Sequence, residues 1–217
     1  MSEEYEQQRQ RMVAEQISRR GLNEPRLLSA MRTVPRHLFV PPEYRLSAYA
    51  DGPLPIGFGQ TISQPYIVAL MTHLLQLQGD ERVLEVGTGS GYQAAILGKL
   101  AHEVHTIEFL PELAESAAQL LSTLGMENVH VHVGDGSLGW PSNAPYAGIL
   151  VAAAAPQAPQ ALLEQLAEGG RLVVPVGGQG FQELEVWERK GNRYQSNSVL
   201  SVAFVPLRGQ QGWDRKD

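Results

Sequence analysis

At 217 residues, 43% hydrophobic and 18% charged, the chain suits one α/β domain with an extension, large enough to bury about 70% of its unfolded surface. A formal net charge of −6 argues against a protein whose main task is gripping a phosphate backbone. The absence of cysteine removes disulfides, thiolate nucleophiles and thiolate metal ligands together and fits a reducing compartment.

The first twenty residues mix Glu3, Glu4 and Glu15 with Arg9, Arg11, Arg19 and Arg20 and contain no signal-type apolar segment. Val13 and Ile17 at i, i+4 and Tyr5 and Met12 at i, i+7 predict an amphipathic helix over 3–20, ended by Gly21. Asn23, Glu24 and Pro25 then start a short helix through Leu27, Leu28 and Met31. Prolines 35, 41, 42, 53 and 55 make 34–59 an ordered loop region or a linker, and Phe39, Tyr44, Tyr49 and Phe58 favour packing over disorder. From Gln64-Pro65 a helical pattern runs through Leu75 and stops before Gly79.

Beyond it the chain alternates, with strands at 82–86, 102–107, 128–133, 147–152 and 170–176 and helices at 91–100, 111–124 and 156–167. Such alternation predicts a parallel sheet covered on both faces. Runs at 182–189 and 199–205, joined by a turn-rich stretch containing Gly191-Asn192, predict an antiparallel edge pair. The expected organisation is an N-terminal extension, 1–78, packed on an α/β core, 79–217. The longest small-apolar stretch, 147–155, is too short to span a bilayer. The expected location is the cytoplasm.

The most informative segment is Glu85-Val86-Gly87-Thr88-Gly89-Ser90-Gly91, a strand end, a glycine turn and a helix start. Glycine permits the sharp turn and a close approach to a ligand, and the helix N-terminus offers unpaired N–H groups. Tyr92 stands where a third glycine is expected, so the spacing departs from the pyrophosphate-gripping G-x-G-x-x-G pattern. Glu108 follows Gly91 by seventeen positions and closes the next strand, where a carboxylate can accept both ribose hydroxyls. Asp135, in Gly134-Asp135-Gly136 after the third strand, can accept from an adenine amino group. An ordinary glycine turn and a plain Asp-Gly turn are the bland alternatives. The placement of all three loops at strand carboxyl ends favours a nucleoside site.

Two histidine pairs, His102/His105 and His130/His132, stand on strands; the second alternates with valines and predicts a solvated or partly covered face. Neither forms H-E-x-x-H, and no catalytic metal is expected. Asn143-Ala144-Pro145-Tyr146 resembles an adenine amino-methyltransferase motif but precedes the fourth strand instead of following it.

The Glu-x-Gly-x-Gly-x-Gly loop, the two placed acids and the edge pair resemble the Rossmann-like methyltransferases that use S-adenosylmethionine. The segment 53–66, Pro-Leu-Pro-Ile-Gly-Phe-Gly-Gln-Thr-Ile-Ser-Gln-Pro-Tyr, is similar to the hallmark of the protein-L-isoaspartate O-methyltransferases. The likeness continues through Val34–Pro41, Leu84–Gln93, Gly134–Gly136, Gly169–Gly177 and Phe204–Leu207, nearly the whole chain. Two departures are Ala147, where members commonly have Asp, and Phe109, where a basic residue often follows the ribose acid. The first is expected to alter hydrogen bonding under the cofactor, the second only the wall of the adenosine pocket.

The resemblance implies methyl transfer from S-adenosylmethionine to the α-carboxylate of L-isoaspartyl, and D-aspartyl, residues in aged proteins. The ester then closes to a succinimide that hydrolyses in part to aspartate. It further implies S-adenosylhomocysteine as product, isoaspartyl peptides as partners without nucleic acid or membrane, and a monomer. Cofactor contacts fall to Thr61, Ile62, Glu85, Gly87, Thr88, Gly89, Ser90, Gly91, Glu108, Asp135 and Gly136. By the same resemblance Ser63 is implied as the catalytic residue, with helix capping ahead of Pro65 as the competing reading. A carboxylate is already ionised at neutral pH, with a usual pKa about 4, so orientation is what remains to supply. A nucleic-acid or small-molecule methyltransferase and a non-catalytic binding module are the alternatives.

Overall fold

The computed structural model describes residues 2–178 and 180–213; Met1, Gln179 and 214–217, parts of the two expected units, lie outside the described residues. Helix α1 (Ser2–Met12) continues as a wide π-type turn over Val13–Ile17 and a 3-10 turn over Ser18–Arg20, until Gly21 at φ +94° ends it. The expected extent holds, but the hydrogen bonding changes midway. Met12, Val13 and Ile17 are buried. Helix α2 (Pro25–Thr33) begins on its proline, whose missing N–H costs nothing there, and buries Leu27, Leu28 and Met31.

The proline-rich segment is ordered. Two 3-10 turns, Arg36–Phe39 and Pro42–Ser47, lead into a hairpin of β1 (Leu54–Gly57) and β2 (Gln60–Ile62) that the sequence pattern does not predict. These strands are too short to show a clear alternation. Tyr5 stacks on His37 with ring centroids 4.0 Å apart, and the Tyr49 hydroxyl lies 2.8 Å from His37 Nδ1, which ties this segment to α1.

Helix α3 (Pro65–Leu74) precedes the sheet. Strands β3 (Arg82–Val86), β4 (Glu103–Glu108), β5 (Val129–Val133), β6 (Tyr146–Val151) and β7 (Leu166–Val176) pair in parallel, and β8 (Gln182–Lys190) and β9 (Arg193–Val202) add an antiparallel edge. Among the described residues the order is β5-β4-β3-β6-β7-β8-β9. Helices α4 (Tyr92–Gly98), α5 (Pro111–Thr123) and α6 (Gln160–Glu164) are the crossovers.

Side chains on a strand alternate faces, and the buried residues sort accordingly. Val83, Leu150 and Val173 join the N-terminal helices, α3 and α4 in one apolar cluster. Leu84, Val86, Ile149, Val151, Leu172 and Val174 join Leu162 and Leu163 of α6 in another. Fully burying each such side chain contributes about 1.5–3 kcal/mol.

Three expectations need correction: the helix over 156–167, the strand over 170–176, which already begins at Leu166, and the strand over 199–205. The helix expected over 156–167 spans only Gln160–Glu164, because Pro156 and Pro159 disfavour helix before them and β7 begins at Leu166. Leu166 pairs with Tyr146, so tertiary pairing overrides the helical propensity of this segment. Strand β9 begins at Arg193 rather than 199 and ends at Val202, since Gly191-Asn192 forms a two-residue turn that pairs Lys190 with Arg193.

The histidine face is partly covered. His105 Nδ1 lies 3.0 Å from His132 Nε2, and His132 stacks on Trp140 at 4.0 Å, while His130 is more exposed.

Candidate active site

The chain runs β3, β4, β5 in one direction across the sheet and then crosses back to β6 and β7, so the order reverses between β3 and β6. Ligands of open α/β sheets bind outside the carboxyl ends of the strands at such a point. The strand ends are stitched there: Gly87 N donates to the Ile107 carbonyl at 2.8 Å, and Ala152 N to the Val86 carbonyl at 2.8 Å.

The glycine loop leaves β3 and turns into α4. Gly89 adopts φ +52°, and a Cβ there would stand 3.3 Å from Ile56 Cδ1 of β1, so the hairpin lies over the loop. Gly136 packs more closely still, since a Cβ there would meet Val86 Cγ1 at 2.6 Å. At the hairpin tip Phe58 takes φ +53°, unusual for a bulky residue, and remains 57% exposed.

One cavity is lined by ten of the expected residues: Thr61, Ile62, Ser63, Glu85, Gly87, Thr88, Gly89, Ser90, Glu108 and Gly136. Phe109 forms part of its wall, as expected. Residues not anticipated are Gln60, Tyr92, Gln93, Leu207 and Arg208, which only the convergence of distant segments brings here.

Gly91 and Asp135 do not line the cavity. Gly91 caps α4 at φ +85°, and a Cβ there would stand 3.3 Å from Ala117 Cβ and 3.4 Å from Leu121 Cδ1 of α5. Asp135 is already engaged at three of its about four acceptor positions. Its Oδ1 accepts from Ser137 N at 3.0 Å and Ser137 Oγ at 2.6 Å, and its Oδ2 accepts from Gln210 N at 2.8 Å. The partner at 210 lies beyond any local pattern. Ala147 stands near the start of β6, as expected, but beside Leu75, Glu81 and Arg171 at the end of the strand away from the cavity and not under the expected cofactor position.

Two carboxylates shape the floor. Glu108, 7% exposed, accepts from Gly89 N at 2.8 Å through Oε2 and from Leu110 N at 3.0 Å through Oε1. A carboxylate has about four acceptor positions, so two remain. Glu85 is fully buried, and burial pushes its pKa up to about 8, against the hydroxyl of Thr106, which favours the anion, and with the neighbouring Glu108 charge adding to the rise. Its Oε2 accepts from Thr106 Oγ1, which in turn lies 2.6 Å from Thr88 Oγ1, and its Oε1 has no partner among the described residues. A buried, orphaned carboxylate oxygen in a cavity wall awaits a donor or a cation.

Ser63 lies between the end of β2 and the start of α3. The helix N-cap is Gln64, without a side-chain capping bond, and the Ser63 hydroxyl makes no hydrogen bond among the described residues. Capping is therefore not its role. Ser63, Thr61, Ala152 and Val205 also line a second cavity, which opens between the hairpin and β9 and includes Arg20, Tyr66 and Phe204. Arg20 pairs with Asp51 and sits 4.9 Å above the Tyr66 ring. The two cavities meet at Ser63.

This arrangement has relatives. The family model described as Protein-L-isoaspartate(D-aspartate) O-methyltransferase (PCMT) matches residues 7–212. A protein-L-isoaspartate O-methyltransferase of Methanoregula boonei is 58% identical over 207 residues, covering 95% of each chain. One from Dictyoglomus thermophilum is 50% identical over 210 residues, 97% of this chain and 95% of its own. A solved protein-L-isoaspartate O-methyltransferase matches with a TM-score of 0.87 at 30% identity, over 94% of this chain and 67% of that one. A Plasmodium falciparum protein so described, solved with S-adenosyl-L-homocysteine, shares the fold with a TM-score of 0.80 at 24% identity, over 92% and 98% of the two chains. The chain belongs to the protein-L-isoaspartate (D-aspartate) O-methyltransferase family.

Proposed function

We infer that this chain uses S-adenosylmethionine to methylate the α-carboxylate of L-isoaspartyl, and D-aspartyl, residues in damaged proteins, with Ser63 aligning the acceptor. The observation that carries this reading is the junction of two cavities at Ser63. One has the lining of a nucleoside site and the other is an open groove suited to an extended peptide.

The residues present fit the cofactor. Glu108 has two acceptor positions left for ribose hydroxyls, the glycine loop admits close approach, and the unpartnered oxygen of Glu85 offers a hydrogen-bonding position. Bound there, S-adenosylmethionine supplies an electrophilic methyl group on a sulfonium. The chain's own task is geometric. Ser63 donates its free hydroxyl to one carboxylate oxygen and leaves the other to attack, and Thr61, Ala152 and Val205 line both cavities beside it. A hydroxyl suits this better than a cation, which would stabilise the ionised ground state more than the charge-cancelling transition state.

The reading extends to a monomeric, cytoplasmic enzyme acting on peptides. A cysteine-free chain of net charge −6 supports it, and no helix among the described residues is long and apolar enough to cross a membrane. The test is incubation with labelled S-adenosylmethionine and an isoaspartyl peptide, its aspartyl twin or RNA, followed by measurement of base-released methanol. Methanol from the isoaspartyl peptide alone is expected; methanol from neither peptide sinks the reading.

A further inference from the structure

Arg36 is the largest fully buried side chain, at 0% exposure, and it has no carboxylate partner among the described residues. A desolvated, unpaired cation is costly and persists where the surroundings need it. Burial lowers its pKa only to about 10, so it stays charged at neutral pH.

Its hydrogen bonds reach two segments that no secondary structure joins. Nε donates to the Ala48 carbonyl at 2.8 Å and Nη2 to the Ser63 carbonyl at 2.7 Å. The guanidinium also lies 4.9 Å over the ring of Tyr92, the first residue of α4 after the glycine loop. Ser63 itself belongs neither to β2, which ends at Ile62, nor to α3, which starts at Pro65. Nothing in either element fixes its backbone, and its hydroxyl is free to serve the substrate.

We propose that Arg36 is a positioning residue for methyl transfer: its buried guanidinium clamps the Ser63 carbonyl against Ala48 and the Tyr92 ring, and so sets the Ser63 hydroxyl between the two cavities. The inference rests on the reading of Ser63 given above. A planar guanidinium is suited to the task, because its fixed fork reaches two carbonyls at once while its face covers an aromatic ring. Its charge is spent on backbone carbonyls, which keeps a cation away from the acceptor carboxylate itself.

The test uses Arg36→Met, which keeps much of the volume, and Arg36→Lys, which keeps the charge but offers a point donor for a forked one. A misplacement of about 1 Å costs about a hundredfold in rate, so Arg36→Met is expected to lose about that much kcat at saturating substrates, below its unfolding temperature. KM for the isoaspartyl peptide and affinity for S-adenosylhomocysteine should change far less, and Arg36→Lys should recover part of kcat. Hydrogen exchange should rise at 60–64 and stay unchanged in β3, β4 and β6. If Arg36→Met does not fold, Arg36→Lys carries the same kcat-against-KM and exchange measurements.

A folded variant with parental kcat and unchanged exchange at 60–64, differing only in melting temperature, overturns the proposal. Should the parent enzyme bind S-adenosylhomocysteine yet form no base-labile ester, the reaction reading fails on its own, and the exchange result still decides whether Arg36 holds Ser63.

Discussion

Glu108→Ala separates cofactor binding from loop support, because the carboxylate serves both. In the structure it accepts two backbone N–H groups, from Gly89 and Leu110, while 7% exposed. Removing it strands two partly buried donors, at about 1 kcal/mol each since water can reach this open loop. A loss of about 2 kcal/mol lowers Tm by about 4–8 °C in a chain of this size. Two charge-assisted bonds to ribose hydroxyls, at about 1.5 kcal/mol each, come to about 3 kcal/mol, or about a hundredfold in Kd. Release of the Gly89 amide loosens the loop and should push the loss beyond that. Calorimetry with S-adenosylhomocysteine on the folded variant, beside a thermal melt, measures both effects. Glu108→Gln, which keeps one acceptor and lacks the charge, should fall between. A lowered Tm with an unchanged Kd would refute the ribose assignment and leave Glu108 as a loop support only.

Ser63→Ala should cut turnover by about tenfold to a hundredfold through lost alignment. Its stability should stay within about 0.5 kcal/mol of parent, since no capping bond is lost; peptide kinetics and a melt decide this. Gly89→Val should fold, as judged by circular dichroism, and fail to bind S-adenosylhomocysteine, because a β-branched residue cannot take φ +52° beneath Ile56; normal binding would move the cofactor elsewhere. Glu85 has a folded pKa of about 8 against an ordinary 4.5, so the cofactor-free protein loses stability through this group as pH rises across that window. Glu85→Gln should therefore match the parent near the acid end of the window and exceed it in Tm near its alkaline end. A constant difference across that range would show that Glu85 does not titrate this way.

What the sequence determined by itself is what local pattern encodes. Strand β3, the glycine turn and the start of α4 are contiguous, so residue type and spacing suffice for Glu85, Gly87 and Gly89. The position of Glu108 at a strand end is equally legible, because a βαβ unit puts each strand's last residue at the same edge. The alternation of strands and helices likewise foretold a parallel sheet with an apolar layer on each face.

Only the tertiary structure decided matters that turn on partners far along the chain. Asp135 carries an acceptor's chemistry, but the amide of Gln210, from a segment with no strong periodicity, takes one of its oxygens. The helical composition near Gln165 yields to the pairing of Leu166 with Tyr146. Ser63 precedes a proline as a cap would, yet its hydroxyl stays free, and Arg36, twenty-seven positions earlier, holds its carbonyl. The physical reason is the same in each case. Propensity and periodicity act over a few residues and weigh tenths of a kcal/mol, whereas a buried charge or amide that must find a partner weighs about 1–3 kcal/mol and is indifferent to separation in sequence.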